Sequence, residues 1–233
     1  MPNDFAEFLA RRKPTAERPL QGETVLVVED SRFACEALRL LCQRSGARIR
    51  RADTLRSARR HLQAFRPSVV IVDLGLPDGN GADLIRELAA ASPRITAIIG
   101  MSGDDGASEA ALAAGADAFL AKPIATVGQF QQVILSALPE TPRVLRAIPA
   151  DAVTPDPLAV RDDLARIANT LADGDHGEGF AYAAQFLGGL ARSTGDEELA
   201  EAALVLAERG GDAAADVLKL VETRIAEADA FAA

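Results

Sequence analysis

The chain has 233 residues, of which 48% are hydrophobic and 25% charged. That balance is ordinary for a globular protein and excludes wholesale disorder. The formal charge of −9 argues against wrapping nucleic acid or lying on an anionic membrane. No run approaches the ~18 consecutive apolar residues of a membrane span. Residues 1–19 hold no apolar core followed by a small-residue cleavage site, so no secretory signal is expected. Cys35 and Cys42 lie about 10 Å apart along a helical rise, too far for a bridge. A reducing, cytoplasmic location fits this cysteine usage. Trp is absent and aromatics are 4%, so an aliphatic, Ala-rich core is expected.

The first 22 residues, with four basic and three acidic groups, read as an N-terminal extension. From residue 23, strand and helix patterns alternate. Val25–Val28 is a β-branched apolar run. Ser31 is placed to cap a helix reaching about Ser45. Arg48–Arg51 is a further strand. Thr54–Phe65 is helical and Pro67 stops it. Ser68–Val72 is a second buried run, followed by the turn-rich GLPDGNG. Gly81–Ala91 is helical and ends before Pro93. Ile95–Ile99 is a third apolar run. Gly106–Ala114 is an Ala-rich helix closed by Gly115. Ala118–Leu120 is a short strand, and Thr126–Leu138 is the last helix of this region, with Thr126 as its cap. Apolar strands alternating with helices imply a parallel sheet covered on both faces. Right-handed crossovers then make residues 23–138 a doubly wound, five-stranded α/β domain.

Five prolines, Pro139, Pro142, Pro149, Pro155 and Pro157, fall close together, so 139–156 reads as a linker. Residues 139–233 carry eight basic and 18 acidic groups, whereas 23–138 carry 13 of each. This break in charge marks a second module at 157–233, with no strand signal. Its four helical segments run Pro157–Leu171, about Glu178–Arg192, from a capping box of Thr194 and Glu197 to Gly210 and Gly211, and onward from Asp212. Apolar residues recur on one face of each, as Val160, Leu164, Ile167 and Leu171 do on the first. An antiparallel bundle or a helical dimerisation unit is expected. Ala makes up about a quarter of residues 151–233, and Gly188–Gly189 interrupts the second helix. The core is therefore expected to be thin and to gain stability through dimerisation.

In an open parallel sheet, ligands gather at the carboxyl ends of the strands. The expected strands deliver Glu29 and Asp30, Asp73, Ser102, and Lys122–Pro123 there. Three carboxylates repel one another unless a cation or proton compensates them. All-oxygen ligation with room for water suits Mg2+. A hard cation beside a carboxylate suits phosphoryl transfer, with the cation, Lys122 and the Ser102 hydroxyl each holding one phosphoryl oxygen. Asp73 is then the nucleophile, forming an acyl phosphate.

The segments VLVVEDS, VVIVDLGLPDGNG, IIGMSGDD and ADAFLAKP, in this order and spacing, make residues 23–138 resemble a response-regulator receiver domain. The resemblance covers about half the chain. It implies a flavodoxin-like fold and an Mg2+ site formed by Glu29, Asp30, Asp73 and the carbonyl of Gly75. It makes Asp73 the phosphoacceptor, with Ser102 and Lys122 as its catalytic partners. It implies a cis bond at Lys122–Pro123 and a switch formed by Ser102 and Phe119. Two residues depart from the usual pattern. Gly103 stands where Ala is common, and Phe119 lacks the hydroxyl of the frequent Tyr. Without the resemblance, Phe119 reads simply as a strand residue packing on the sheet.

The resemblance implies a two-component signalling protein, not an enzyme with its own substrate. Its partner is a sensor histidine kinase or a phosphotransfer protein. The expected output is altered self-association or protein-partner binding. A homodimer would form through the C-terminal helices or the face near Phe119. The alternatives are a transcription regulator with an atypical helical DNA-binding output, or a phosphate sink. The charge of the last third and the lack of a basic recognition helix argue against DNA. His61, in the basic run RSARRHLQ, reads as solvated. The cluster Asp173, Asp175, His176 and Glu178 departs from a calcium loop and reads as a polar turn.

Overall fold

A computed structural model describes residues 14–104, 106–124, 126–139, 157–173 and 178–232. Residues 140–156 of the expected linker, and Asp175 and His176, fall outside these residues. Contacts divide the chain into two units. One comprises residues 1–30 and 37–154, the other Ser31–Glu36 with Pro155–Ala233.

The first unit is built on a five-stranded parallel sheet. Its strands are β1 (Thr24–Val28), β2 (Arg48–Ala52), β3 (Val69–Asp73), β6 (Ala97–Ser102) and β7 (Ala118–Ala121), in the order β2-β1-β3-β6-β7. Helices α1 (Arg32–Ser45, of which Ala37–Ser45 fall in this unit), α2 (Leu55–Ala64), α3 (Gly81–Ala90), α4 (Ala107–Ala113) and α5 (Val127–Ala137) follow the strands in turn. The central strands are buried throughout, which explains their continuous apolar runs. Leu26, Val28, Val70, Val72 and Ile98 pack with Leu55 and Ala58 of α2, with Leu84, Ile85 and Leu88 of α3, and with Ala111 of α4. Val25, Val27, Val69 and Ile71 are fully buried on the opposite face. There, Gln131 of α5 donates to the Ser45 hydroxyl at 3.1 Å. Leu20, within the expected N-terminal extension, is also fully buried, and its N–H donates to the Ser45 carbonyl.

Local chemistry sets the helix starts. Thr54 caps α2 by accepting from the Ser57 N–H, and Thr126 caps α5 by accepting from the Gln129 N–H. Asn80 does the same for α3 through the Ala82 N–H. The GLPDGNG turn contains an unforeseen two-stranded hairpin, β4 (Gly75–Leu76) and β5 (Gly79–Asn80). The third apolar run is also displaced. Its strand spans Ala97–Ser102, with Ile95 buried just before it, because Gly100 and Ser102 are strand residues here. His61 is half-buried, with its ring edge-on to Phe65 at 6.0 Å, and is not fully solvated.

Edge strand β2 reads Arg-Ile-Arg-Arg-Ala. Arg48, Arg50 and Arg51 are exposed, and the Arg50 guanidinium lies 4.4 Å from the centre of the Phe65 ring.

The second unit contains four helices, α6 (Pro157–Ala172), α7 (Glu178–Thr194), α8 (Glu197–Arg209) and α9 (Gly211–Ala232). Each packs on the next, and α9 returns to α6. Leu164, Ile167, Leu187, Leu190, Leu199, Leu206, Val217 and Val221 form the core, with Ala183, Ala191 and Ala203 between them. Gly188 faces Ala203 at ordinary contact distance. The expected capping box of Thr194 and Glu197 is not formed. Gly195, with φ of +74°, breaks the chain after Thr194, whose hydroxyl donates to the Leu190 carbonyl of its own helix. Asp196 is the cap instead, accepting from the Leu199 N–H at 3.0 Å. The last helix begins at Gly211, one residue before Asp212.

Candidate functional site

The carboxyl ends of β1 and β3 carry the acidic residues. Glu29 follows β1, and its N–H donates to the Ala52 carbonyl of β2, which extends the strand's pairing to the rim. Asp30 comes next. Asp73 is the last residue of β3, opposite Met101 of β6. Glu29, Asp30 and Asp73 are 0%, 3% and 7% exposed. Each turns an oxygen into one space, and these atoms lie within 4.8 Å of one another.

Lys122, after β7, supplies the counter-charge. Its Nζ is 2.6 Å from Glu29 Oε2 and 3.0 Å from Asp73 Oδ2. Its backbone N–H donates to the Ser102 carbonyl, and its bond to Pro123 is cis. Ser102 ends β6 and is buried, its hydroxyl oxygen accepting from the Asp104 N–H at 3.1 Å. The Gly75 N–H faces the Asp73 carboxylate. Phe119 is half-buried opposite Gly100 of β6 and packs on the α2–α4 side of the sheet. The structure thus joins Glu29, Asp30, Asp73 and Lys122 directly, with Ser102 on the neighbouring strand end.

The electrostatics follow from burial. Desolvation pushes Glu29 up to about 8 against the pull of Lys122, with Asp73 and Asp30 adding to the rise. Desolvation also raises Asp73, again against Lys122. Burial works against the Lys122 ammonium, but Asp73 and Glu29 overcome it and hold its pKa above the usual range. One ammonium stands among three carboxylates. The donors are hard oxygens in a span that a small cation can bridge, and its charge would offset the excess. The residues present therefore fit Mg2+.

Glycine at position 81 is a condition of this geometry. A Cβ there would lie 1.9 Å from the Asp73 carbonyl oxygen, so only glycine lets α3 start against the end of β3.

Two further carboxylates have no signal strong enough in the sequence to mark their partners. Asp78, in the β4–β5 turn, accepts from the Leu55 and Arg56 N–H groups at 2.8 and 3.0 Å. Its signal was its place in the Pro-Asp-Gly turn. Asp163, on α6, is 1% exposed and accepts from Ser31 and from the Arg32 and Phe33 N–H groups, all in the second unit. No local pattern announces that contact.

Known proteins share the first of these regions. The response regulator receiver domain family matches residues 25–134. The KDP operon transcriptional regulatory protein KdpE of Escherichia coli K12 is 35% identical over 114 residues, covering 49% of this chain and 50% of that protein. The virulence transcriptional regulatory protein PhoP of Salmonella typhimurium 14028s is 34% identical over 101 residues, covering 42% of this chain and 45% of that protein. The chain therefore matches about half the length of these curated relatives. Among solved structures, a putative response regulator from Chloroflexus aurantiacus aligns with a TM-score of 0.47 and 27% identity, over 49% of this chain and 96% of that one. With carboxylates, lysine and serine at the strand ends of the β2-β1-β3-β6-β7 sheet and the family match over the same residues, 25–134 are a response regulator receiver domain of the two-component type.

Proposed function

We propose that the chain is a two-component response regulator that takes up a phosphoryl group on Asp73 and passes the signal on through its helical unit. The observation that carries this reading is the placement of Asp73 within 3.0 Å of Lys122 and beside Glu29 and Asp30. Glu29, Asp30, Asp73 and the Gly75 carbonyl would hold Mg2+. When bound, Mg2+ neutralises phosphoryl oxygens and the surplus of carboxylate charge. An Asp73 oxygen forms the new bond to phosphorus. The bond from phosphorus to the donor's imidazole nitrogen breaks, and its electron pair leaves with that nitrogen. Lys122 pairs with one phosphoryl oxygen, and the Ser102 hydroxyl donates to another. The acyl phosphate adds charge at the rim, and Ser102 and Phe119 respond to it as the switch. The protein acts in the cytoplasm as a phosphoacceptor for a histidine kinase or phosphotransfer protein. It has no separate enzymatic output.

The output proposed is self-association or protein-partner binding. The acidic composition of the last part of the chain supports it, with 18 acidic against eight basic residues over 139–233. The names of the relatives support a second reading, transcription regulation. Salt-sensitive binding to duplex DNA would favour that reading over the first.

The test of the site is phosphoryl uptake from acetyl phosphate in Mg2+, read by intact mass. The wild type gains one phosphoryl group and Asp73→Asn gains none. Uptake by Asp73→Asn at the wild-type level overturns the assignment.

A further inference from the structure

Asp78 is a carboxylate of the sheet unit that the proposed chemistry does not use. It lies in the turn between β4 and β5, on the loop that follows Asp73. Both of its oxygens go to α2. Oδ1 accepts from the Leu55 N–H at 2.8 Å, and Oδ2 accepts from the Arg56 N–H at 3.0 Å. Thr54 takes the next one, from Ser57, at 3.1 Å. The first three N–H groups of α2 are therefore satisfied, two of them by a residue outside the helix. The negative charge also sits at the positive end of the helix. Thr54 and Ser57 already form a capping box, so the start of α2 does not depend on Asp78. Packing reinforces the contact. Leu76 of β4 and Leu55 of α2 are buried in one core, and Gly79 lies so close that a Cβ there would come within 3.0 Å of Leu55 Cδ1.

The hairpin connects this clamp to the site. Leu76 pairs with Gly79 and Gly75 with Asn80, and the Gly75 N–H faces the Asp73 carboxylate. The base of the loop has its own ties, from the Leu74 N–H to the Met101 carbonyl and from the Gly81 N–H to the Leu74 carbonyl, both at 3.0 Å. Among the described residues, the hydrogen bonds of Asp78 are the ones that tie the tip of the hairpin to another element. We propose that Asp78 is a positioning residue for the site around Asp73, clamping the hairpin to α2 and so holding the Gly75 backbone in place beside the phosphoacceptor. The inference rests on the reading of the site as an Mg2+ site, in which the Gly75 carbonyl is one ligand. Groups one step removed from a metal commonly set how well its ligands bind it. Coupling of this kind is reciprocal, so a cation in the site must also steady the contact between Asp78 and α2.

The experiment titrates the full chain with Mg2+ by calorimetry, comparing wild type, Asp78→Ala and Thr54→Ala. Asp78→Ala removes the clamp and should weaken Mg2+ binding about 10-fold, with native circular dichroism. Thr54→Ala removes the helix's own cap, leaves the clamp, and should lower the melting temperature with Mg2+ affinity unchanged. Wild-type affinity in Asp78→Ala overturns the proposal and leaves Asp78 as a helix cap alone. Equal losses of affinity in the two variants also overturn it, because the start of α2 and not the clamp would then govern the site. Because a variant can fail to fold, the wild type is also followed by amide hydrogen exchange with and without Mg2+. Slower exchange at Leu55 and Arg56 with Mg2+ supports the coupling, and unchanged exchange there overturns it. If the wild type binds no Mg2+ at all, the reading of the site falls and the proposal with it, a result distinct from equal binding by wild type and Asp78→Ala.

Discussion

The sheet unit and the helical unit keep their polar groups in opposite ways. In the first, the central strands are apolar along their length, and Glu29, Asp30, Asp73 and Lys122 gather where strands end. In the second, the core is thinner, with alanines between its leucines, and apart from the buried Asp163 its ion pairs, such as Arg161–Asp229 and Arg224–Asp196, lie partly or largely in solvent. Charges concentrated at one rim, in low dielectric, perturb one another and can do chemistry. Charges dispersed on a helical surface set solubility and the choice of partner. The difference teaches that a packed apolar frame of central strands is what allows four ionisable groups to be held close together at one rim.

Mutations placed in each unit should sharpen that contrast. The largest expected effect is in the sheet unit, where Phe130 is fully buried. Phe130→Ala should cost about 4 kcal/mol. Leu187, equally buried in the helical unit, has alanines for neighbours, and Leu187→Ala should cost about 3 kcal/mol. Hydrogen exchange of the β3 and α7 amides, read separately, measures both. Equal losses, or a larger loss at Leu187, would break the comparison.

Next comes Gly81→Ala. The added carbon meets a backbone oxygen that has no rotamer by which to yield. A loss of about 2 kcal/mol in urea unfolding is expected, together with slower phosphoryl uptake, since Asp73 must shift. Full uptake at unchanged rate would show that the end of β3 is not shared between α3 and the site.

The smallest effect is at Asp196 in the helical unit. Arg224 holds its carboxyl below the ordinary value of 3.8. A depressed folded value means the contribution is complete above that ordinary value. It is lost as pH falls through the depressed one. Asp196→Asn keeps a good cap but removes the ion pair, and should cost about 0.5 kcal/mol at neutral pH. Melting temperatures of wild type and variant should converge as the solution is acidified below pH 3.8. A gap that widens in acid would show that the sign is wrong.

Much of this was legible in the sequence, and what was hidden has physical reasons. Val25–Val28 and Ser68–Val72 announce strands because both faces are buried, and an acid directly after such a run is anomalous enough to mark a rim. The strand at Ala97–Ser102 was misplaced because Gly100 and Ser102 read as turn residues, while tertiary pairing with β3 and β7 overrides that preference. Thr194 and Glu197 have the letters of a capping box, but Gly195 moves the helix start and Asp196 is the better placed oxygen. Asp163 was invisible for another reason. Its partners lie some 130 residues away in sequence, and no local spacing encodes a contact of that range.

Strand β2 has a consequence beyond the site. As an edge strand it offers a row of backbone groups to any extended chain, the kind of template on which sheets grow from one molecule to the next. Its exposed Arg48, Arg50 and Arg51 make two such borders mutually repellent. Screening by salt should weaken that repulsion, so crowded, high-salt storage is where this protein should first be watched for fibrous aggregation.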